Sequence, residues 1–433
     1  MAAVPSQPDR AKAHELALQR VLSAWILTGL AFLLLPGTFL GVWNLIAISG
    51  QRTAARLDPA WIQAHGHAQL FGWIGTFIIG IGFYSLGKMG LSAPFAARRA
   101  WTGWALWTGG VGLRWATNLW QWRWRAMLPA SAALELAAFL VFFFTVRRHR
   151  PAGPSPEPGA ARPVWMTLVM AGSIGFFAAL GANLAASIYS AAYGASPAVA
   201  HALDQRLLVL YAWGFPVLTI WGFSARWLPT FLGLSAPSER LLPAALALAV
   251  AGIGAALFGW FLASTAILLA AAAISCAGLH VFLPPVKPPK ILGVHATFPL
   301  AVRLAYAWLP ASCAIALAAA LWDRAGGLWG ASRHALTVGF MAAMVFAIGQ
   351  RVLPAFCGMR VLYSPRLMFA AAVLLNAGCL LRVTSEIGAY ESYATALWPL
   401  LPLSAVLELT AVTLFAANLA LTLRQPPAHL AAR

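Results

Sequence analysis

Twelve apolar runs, each long enough to cross a bilayer, constrain this chain more than any other feature of its sequence. A spanning helix needs roughly 20 apolar residues, and such runs lie at 21–49, 63–87, 100–120, 129–147, 165–192, 204–232, 241–259, 262–284, 298–322, 333–356, 366–386 and 395–423. Hydrocarbon offers the backbone no hydrogen-bond partner, so continuous runs of this kind must close their bonds internally, as helices. Composition agrees: 61% of the residues are hydrophobic and 9% charged, against roughly 25% charged in an average soluble domain. The expected fold is all-α, a polytopic membrane bundle of about 12 transmembrane helices forming one membrane domain over residues 1–433.

The net charge of +18 would suggest nucleic acid in a soluble protein, but in this setting it is read by side of the membrane. Basic residues gather at the N-terminus and in the even-numbered connections, as at Arg98, Arg99, Arg147, Arg148, Lys287 and Lys290, and are sparser in the odd ones. Positive-inside placement then puts both termini in the cytoplasm. Lipid, and no nucleic acid, is the expected partner of this charge. Residues 1–20 are polar with no cleavage-type small-residue site, so no signal peptide is expected. Cys276, Cys313, Cys357 and Cys379 fall on separate helices without a paired spacing and read as packing residues.

The chain repeats itself. Gly72, Gly214 and Gly339 each sit beside aromatic residues, and aligning them brings Arg226-x-Leu-Pro-x-Phe231 over Arg351-x-Leu-Pro-x-Phe356. Leu128-Pro-Ala-Ser-Ala-Ala-Leu-Glu135-Leu136 likewise matches Leu401-Pro-Leu-Ser-Ala-Val-Leu-Glu408-Leu409, and Leu113-Arg114 matches Leu381-Arg382. Three four-helix units follow, at about 21–150, 164–284 and 295–424, with proline-rich linkers between them. The middle unit lacks the Arg and the Glu, showing Leu268 at the Glu position.

Within this frame His65 and His67 open the second helix and His334 opens the tenth, both entering from the outer side. Arg114 and Arg382 come late in helices 3 and 11, and Glu135 and Glu408 early in helices 4 and 12, so all lie at similar depth. Charge at such depth is costly and is usually paired or functional. The expectation is a polar layer between units 1 and 3. There His67 and His334 supply both axial ligands of a six-coordinate haem, and Arg114 and Arg382 face its propionates. The alternative is structural: ion pairs Arg114–Glu135 and Arg382–Glu408 within their own units, and interfacial histidines. His65 stands two residues from His67, roughly 200° around a helix. It therefore serves another metal, copper being the candidate, or faces water.

His65-Gly-His67-Ala-Gln-Leu-Phe-Gly72, Val302-Arg-Leu-Ala-Tyr-Ala-Trp-Leu-Pro310 and especially His334-Ala-Leu-Thr-Val-Gly339 resemble the NnrS family. These are bacterial haem- and copper-containing membrane proteins associated with nitric oxide stress and denitrification. The chain departs from the family pattern at Ala68-Gln69, at Arg303 and at Phe356-Cys-Gly-Met359, positions that bear on copper more than on haem. The three-unit layout is also similar to subunit I of the haem-copper oxidases and nitric oxide reductases. That likeness implies a b-type haem on His67 and His334. It implies no binuclear centre, because Leu207–Leu232 and Leu241–Gly259, where copper-ligand histidines belong, contain no His.

The leading expectation is thus an inner-membrane haem protein that binds or senses nitric oxide or another diatomic gas, or transfers electrons. One alternative is a transporter whose outer-facing layer of Arg114, Glu135, Arg382 and Glu408 takes a small ion or metal. Another is a divergent oxidase-like enzyme.

Overall fold

The computed structural model describes residues 7–88, 97–148, 162–358 and 360–425, with side chains from residue 13 onward and not at 87 or 88. Most of the linker expected between the first two units, along with Met359, lies outside the described residues. Among the described residues the regular structure is all helical, in twelve rods. We number them α1 (7–51), α2 (59–88), α3 (Ala97–Trp120), α4 (Trp124–Arg148), α5 (Val164–Tyr193), α6 (His201–Leu232), α7 (Leu241–Leu257), α8 (Phe261–Gly278), α9 (Phe298–Trp322), α10 (Gly327–Phe356), α11 (Pro365–Tyr390) and α12 (Leu400–Arg424). Ten of them are long and apolar enough to cross a membrane. Of the other two, α3 carries Arg98, Arg99 and Arg114, and α7 has 17 residues, about 26 Å of helix. Two ends differ from the hydropathy reading. α1 begins at Gln7, far before the apolar run, and α8 stops at Gly278, after which His280 takes a positive φ of 56°.

The rods close into a ring. The third and fourth helices of each set of four, α3–α4, α7–α8 and α11–α12, pack as hairpins, while α4 packs on α5, α8 on α9 and α12 back on α1. Of the ten spans, α2, α6 and α10 are the most buried. Apolar side chains such as Leu35, Trp43, Ile174 and Phe177 point outward, as lipid contact requires. The same close approach recurs in all three hairpins. A Cβ at Gly110 would lie 2.8 Å from Glu135 Cγ, at Gly378 2.8 Å from Glu408 Cγ, and at Gly252 2.7 Å from Leu268 Cγ. Leu268 therefore occupies the Glu position in space as well as in register.

Two local features place the histidines. Asp58 caps α2, accepting from the Ala60 amide at 2.9 Å, with Pro59 at the first helical position, where its missing N–H costs nothing. Asp323 does the same for α10, accepting from the Leu328 amide at 2.8 Å. The regular ladder then loosens into π-helix at Ala68–Gly75, Trp213–Val217 and Ala335–Ala342, stretches that contain Gly72, Gly214 and Gly339. In α2 and α10 the loosening starts at the residue after His67 and after His334. A fourth π stretch, Leu33–Phe39, contains Pro36, which cannot donate to a regular ladder.

Candidate functional site

The polar residues expected in one layer form two clusters. The first lies among α2–α6. His67 is buried, and its Nε2 is 2.8 Å from Glu135 Oε1. Glu135 Oε2 accepts from Asn183 Nδ2 at 3.3 Å, and Arg114 Nη1 donates to Ser187 Oγ at 3.1 Å. Phe71 stacks on His67 with centroids 4.7 Å apart, and Tyr211 meets Phe71 edge-on. This pocket faces the second unit through Asn183 and Ser187. It holds Arg114 within electrostatic reach of Glu135, Tyr211 and Asp204.

The second cluster lies where α10, α11 and α12 meet α2. His334 Nδ1 is 3.0 Å from Gly330 O and 3.3 Å from Glu386 Oε2. Glu386 Oε2 also lies 3.3 Å from Arg382 Nε, four residues earlier on α11. His334, Arg382 and Glu386 are all within electrostatic reach of Glu408, whose Oε1 is buried without a hydrogen-bond partner among the described residues. His65 belongs here: His334 and Arg382 both act on it electrostatically. Its Nδ1 is 2.9 Å from Gly37 O, in the π stretch of α1. The ring lies so close to α1 that a Cβ at Gly41 would come within 2.7 Å of its Cε1.

A carbonyl oxygen only accepts, so in these contacts the Nδ1 of His65 and of His334 is the donor, and in a neutral ring the lone pair is then on Nε2. Among the described residues neither Nε2 forms a hydrogen bond, and both rings are half-buried. His67, in contrast, is buried with Nε2 engaged by Glu135.

The structure thus brings His65 within electrostatic reach of His334 and Arg382, and sets His67 against Glu135. Arg382 pairs with Glu386 and not with Glu408. Glu386 is the main residue that the sequence reading passed over. Its signal was an acidic residue four after Arg382 in an apolar helix, the spacing at which side chains meet. Asp204 and Gln205 on α6 were also missed. Arg333, next to His334, contacts Gln205 Oε1 and lies within reach of Asp204, tying the middle unit to α10. Among the described residues no group of three or more His, Cys, Asp and Glu side chains is gathered as for a metal ion. The four cysteines are buried and free.

Fold and clusters together define a polytopic membrane protein of haem-copper-oxidase-like architecture. Among solved structures the chain is similar to a haem-copper terminal oxidase dimer determined by cryo-EM, at 14% identity and a TM-score of 0.72, covering 95% of this chain and 84% of that one. No curated protein matches it. The chain belongs to the NnrS protein family, whose profile matches residues 3–426.

Proposed function

We propose that this chain binds haem through His65 and His334, in the bacterial inner membrane, with the site toward the outer face. The observation that supports it is the shared ring geometry. Each histidine gives its Nδ1 proton to a backbone carbonyl and keeps Nε2 free, the arrangement that ligating histidines adopt. Glu386, also at His334 Nδ1, would raise the basicity of that ring. Arg382 Nη1 is buried without a hydrogen-bond partner among the described residues and would serve a propionate. These orphaned and oriented groups fit haem. When bound, haem supplies a redox-active iron able to take nitric oxide or another diatomic gas, or an electron. The chain's own part is to fix both rings, offset the propionate charge and limit water at the half-buried histidines. For copper the donor set is thinner, since among the described residues no three His, Cys, Asp or Glu side chains gather as for a metal ion.

The test is the visible spectrum of protein purified from haem-replete cells, oxidised and reduced. His65→Ala and His334→Ala each abolish the six-coordinate spectrum, while His67→Ala retains it. No haem band in the unsubstituted protein would end the haem reading. Loss in His67→Ala with retention in His65→Ala would keep haem but restore the other pairing.

A further inference from the structure

At the end of the bundle opposite the histidines, α3 and α4 leave a groove of about 370 Å³ between Arg99 and Thr102 on one side and Ala137, Leu140, Val141, Phe144 and Arg148 on the other. Its two ends differ. Arg99 and Arg148 line one end, at the start of α3 and the end of α4, and neither makes an ion pair or hydrogen bond with any described residue. Away from that end, Phe144, Leu140 with Val141, and Ala137 follow Arg148 back along α4 at intervals of three or four residues, one face of a helix. They form an apolar strip about 11 Å long. Phe144 is 49% exposed, so the strip opens outward and not into the bundle.

We propose that this groove is a binding site for one anionic glycerophospholipid. Its phosphate is held between Arg99 and Arg148, and an acyl chain lies on Phe144, Val141 and Leu140. The charge supports the head group, since two cations that pair with no described residue line one volume at the basic edge of the membrane, where basic pockets between helices take anionic head groups. The continuous apolar strip supports a lipid over free phosphate, which would use the arginines alone. The proposal is independent of the haem reading.

Native mass spectrometry of the full chain in detergent tests it, with phosphatidylglycerol, phosphatidylcholine and inorganic phosphate as probes. Phosphatidylglycerol is expected to be retained about tenfold or more over phosphatidylcholine, and by the same factor over the Arg99→Gln/Arg148→Gln variant. Leu140→Trp fills the groove with every charge in place and is expected to lose the lipid too. Arg240→Gln/Arg366→Gln, which removes two cations elsewhere in the even connections, keeps it. Equal retention by the Arg99→Gln/Arg148→Gln variant, or equal loss in the control, would reduce the effect to general surface charge. Displacement by millimolar inorganic phosphate would make it an anion site without a lipid. Unchanged retention in Leu140→Trp would remove the groove from the proposal.

Discussion

Units 1 and 3 carry the same residues in the same register, His67 with His334, Arg114 with Arg382 and Glu135 with Glu408, yet the two histidines end in opposite conditions. In unit 1 the carboxylate at the histidine comes from the fourth helix and closes Nε2. In unit 3 it comes from the third helix and meets Nδ1, leaving Nε2 open. The difference traces to one position on the third helix. Four residues beyond the arginine stands Glu386 in unit 3 and Asn118 in unit 1, where its amide is spent on the Ala60 carbonyl at 3.0 Å. At the aligned positions the middle unit has Val209, Ala256, Leu268 and, beyond the end of α7, Trp260. One scaffold thus carries a closed polar cluster, an apolar version and an open one, and among the described residues the open one leaves its histidine Nε2 atoms without a hydrogen bond.

Breaking the closed cluster has the largest expected effect. Glu135→Leu leaves His67 and Asn183 without their acceptor and Arg114 without its carboxylate, all within a buried volume. Removing one member of such a network costs about 3–5 kcal/mol. Thermal unfolding in detergent, followed by circular dichroism, reads this as a lowered midpoint. An unchanged midpoint would mean that the cluster is hydrated and not closed.

Next in size is the open cluster's own carboxylate. Glu386→Gln keeps the shape at His334 Nδ1 but removes the negative charge, and loss of such an outer partner costs about 10–100-fold in metal affinity. Haem retention through a dilution series is expected to fall by that factor, whereas Asn118→Ala, at the same register in unit 1, leaves it unchanged. Equal losses from the two would erase the distinction between the units.

Much of this was legible before any coordinates. The spans follow from hydropathy, and the match of Arg114 to Arg382 and of Glu135 to Glu408 follows from the repeat, whereas the glycine contacts at Gly110 and Gly378 came with the structure. The facing of His65 and His67 was not. Sequence places them on opposite sides of α2, but which side meets unit 3 depends on the helix's rotation. The π stretch Ala68–Gly75 changes that rotation relative to the rest of the helix. The carbonyl that fixes His65 was also hidden, because Gly37 belongs to another helix and is placed by the π stretch around Pro36.

That carbonyl gives a finer test of the open cluster. Gly41→Ala would place its methyl 2.7 Å from His65 Cε1, so the half-buried ring must shift away from α1. Overpacking of this kind costs about 1–3 kcal/mol, and the low end is expected where a ring can move. The readout is a partial change from six- to five-coordinate haem in Gly41→Ala, with none in Gly109→Ala, where an added Cβ meets nothing within 4 Å. No change in either variant would detach His65 from the iron.

The smallest effect is expected at Glu408, the counterpart in register of the most sensitive residue. Arg382 already has Glu386, and Glu408 Oε1 has no hydrogen-bond partner among the described residues. A leucine there loses no mapped bond and no longer has to desolvate a carboxyl group. The middle unit also demonstrates the fit, because Leu268 makes the same approach to Gly252 that Glu408 makes to Gly378. Replacing a buried ionisable group by an apolar one of similar size is often neutral or stabilising, so Glu408→Leu should leave the unfolding midpoint unchanged or raise it. A drop matching that of Glu135→Leu would show that Glu408 is a working member of the open cluster, with a partner supplied by water or by the bound group itself.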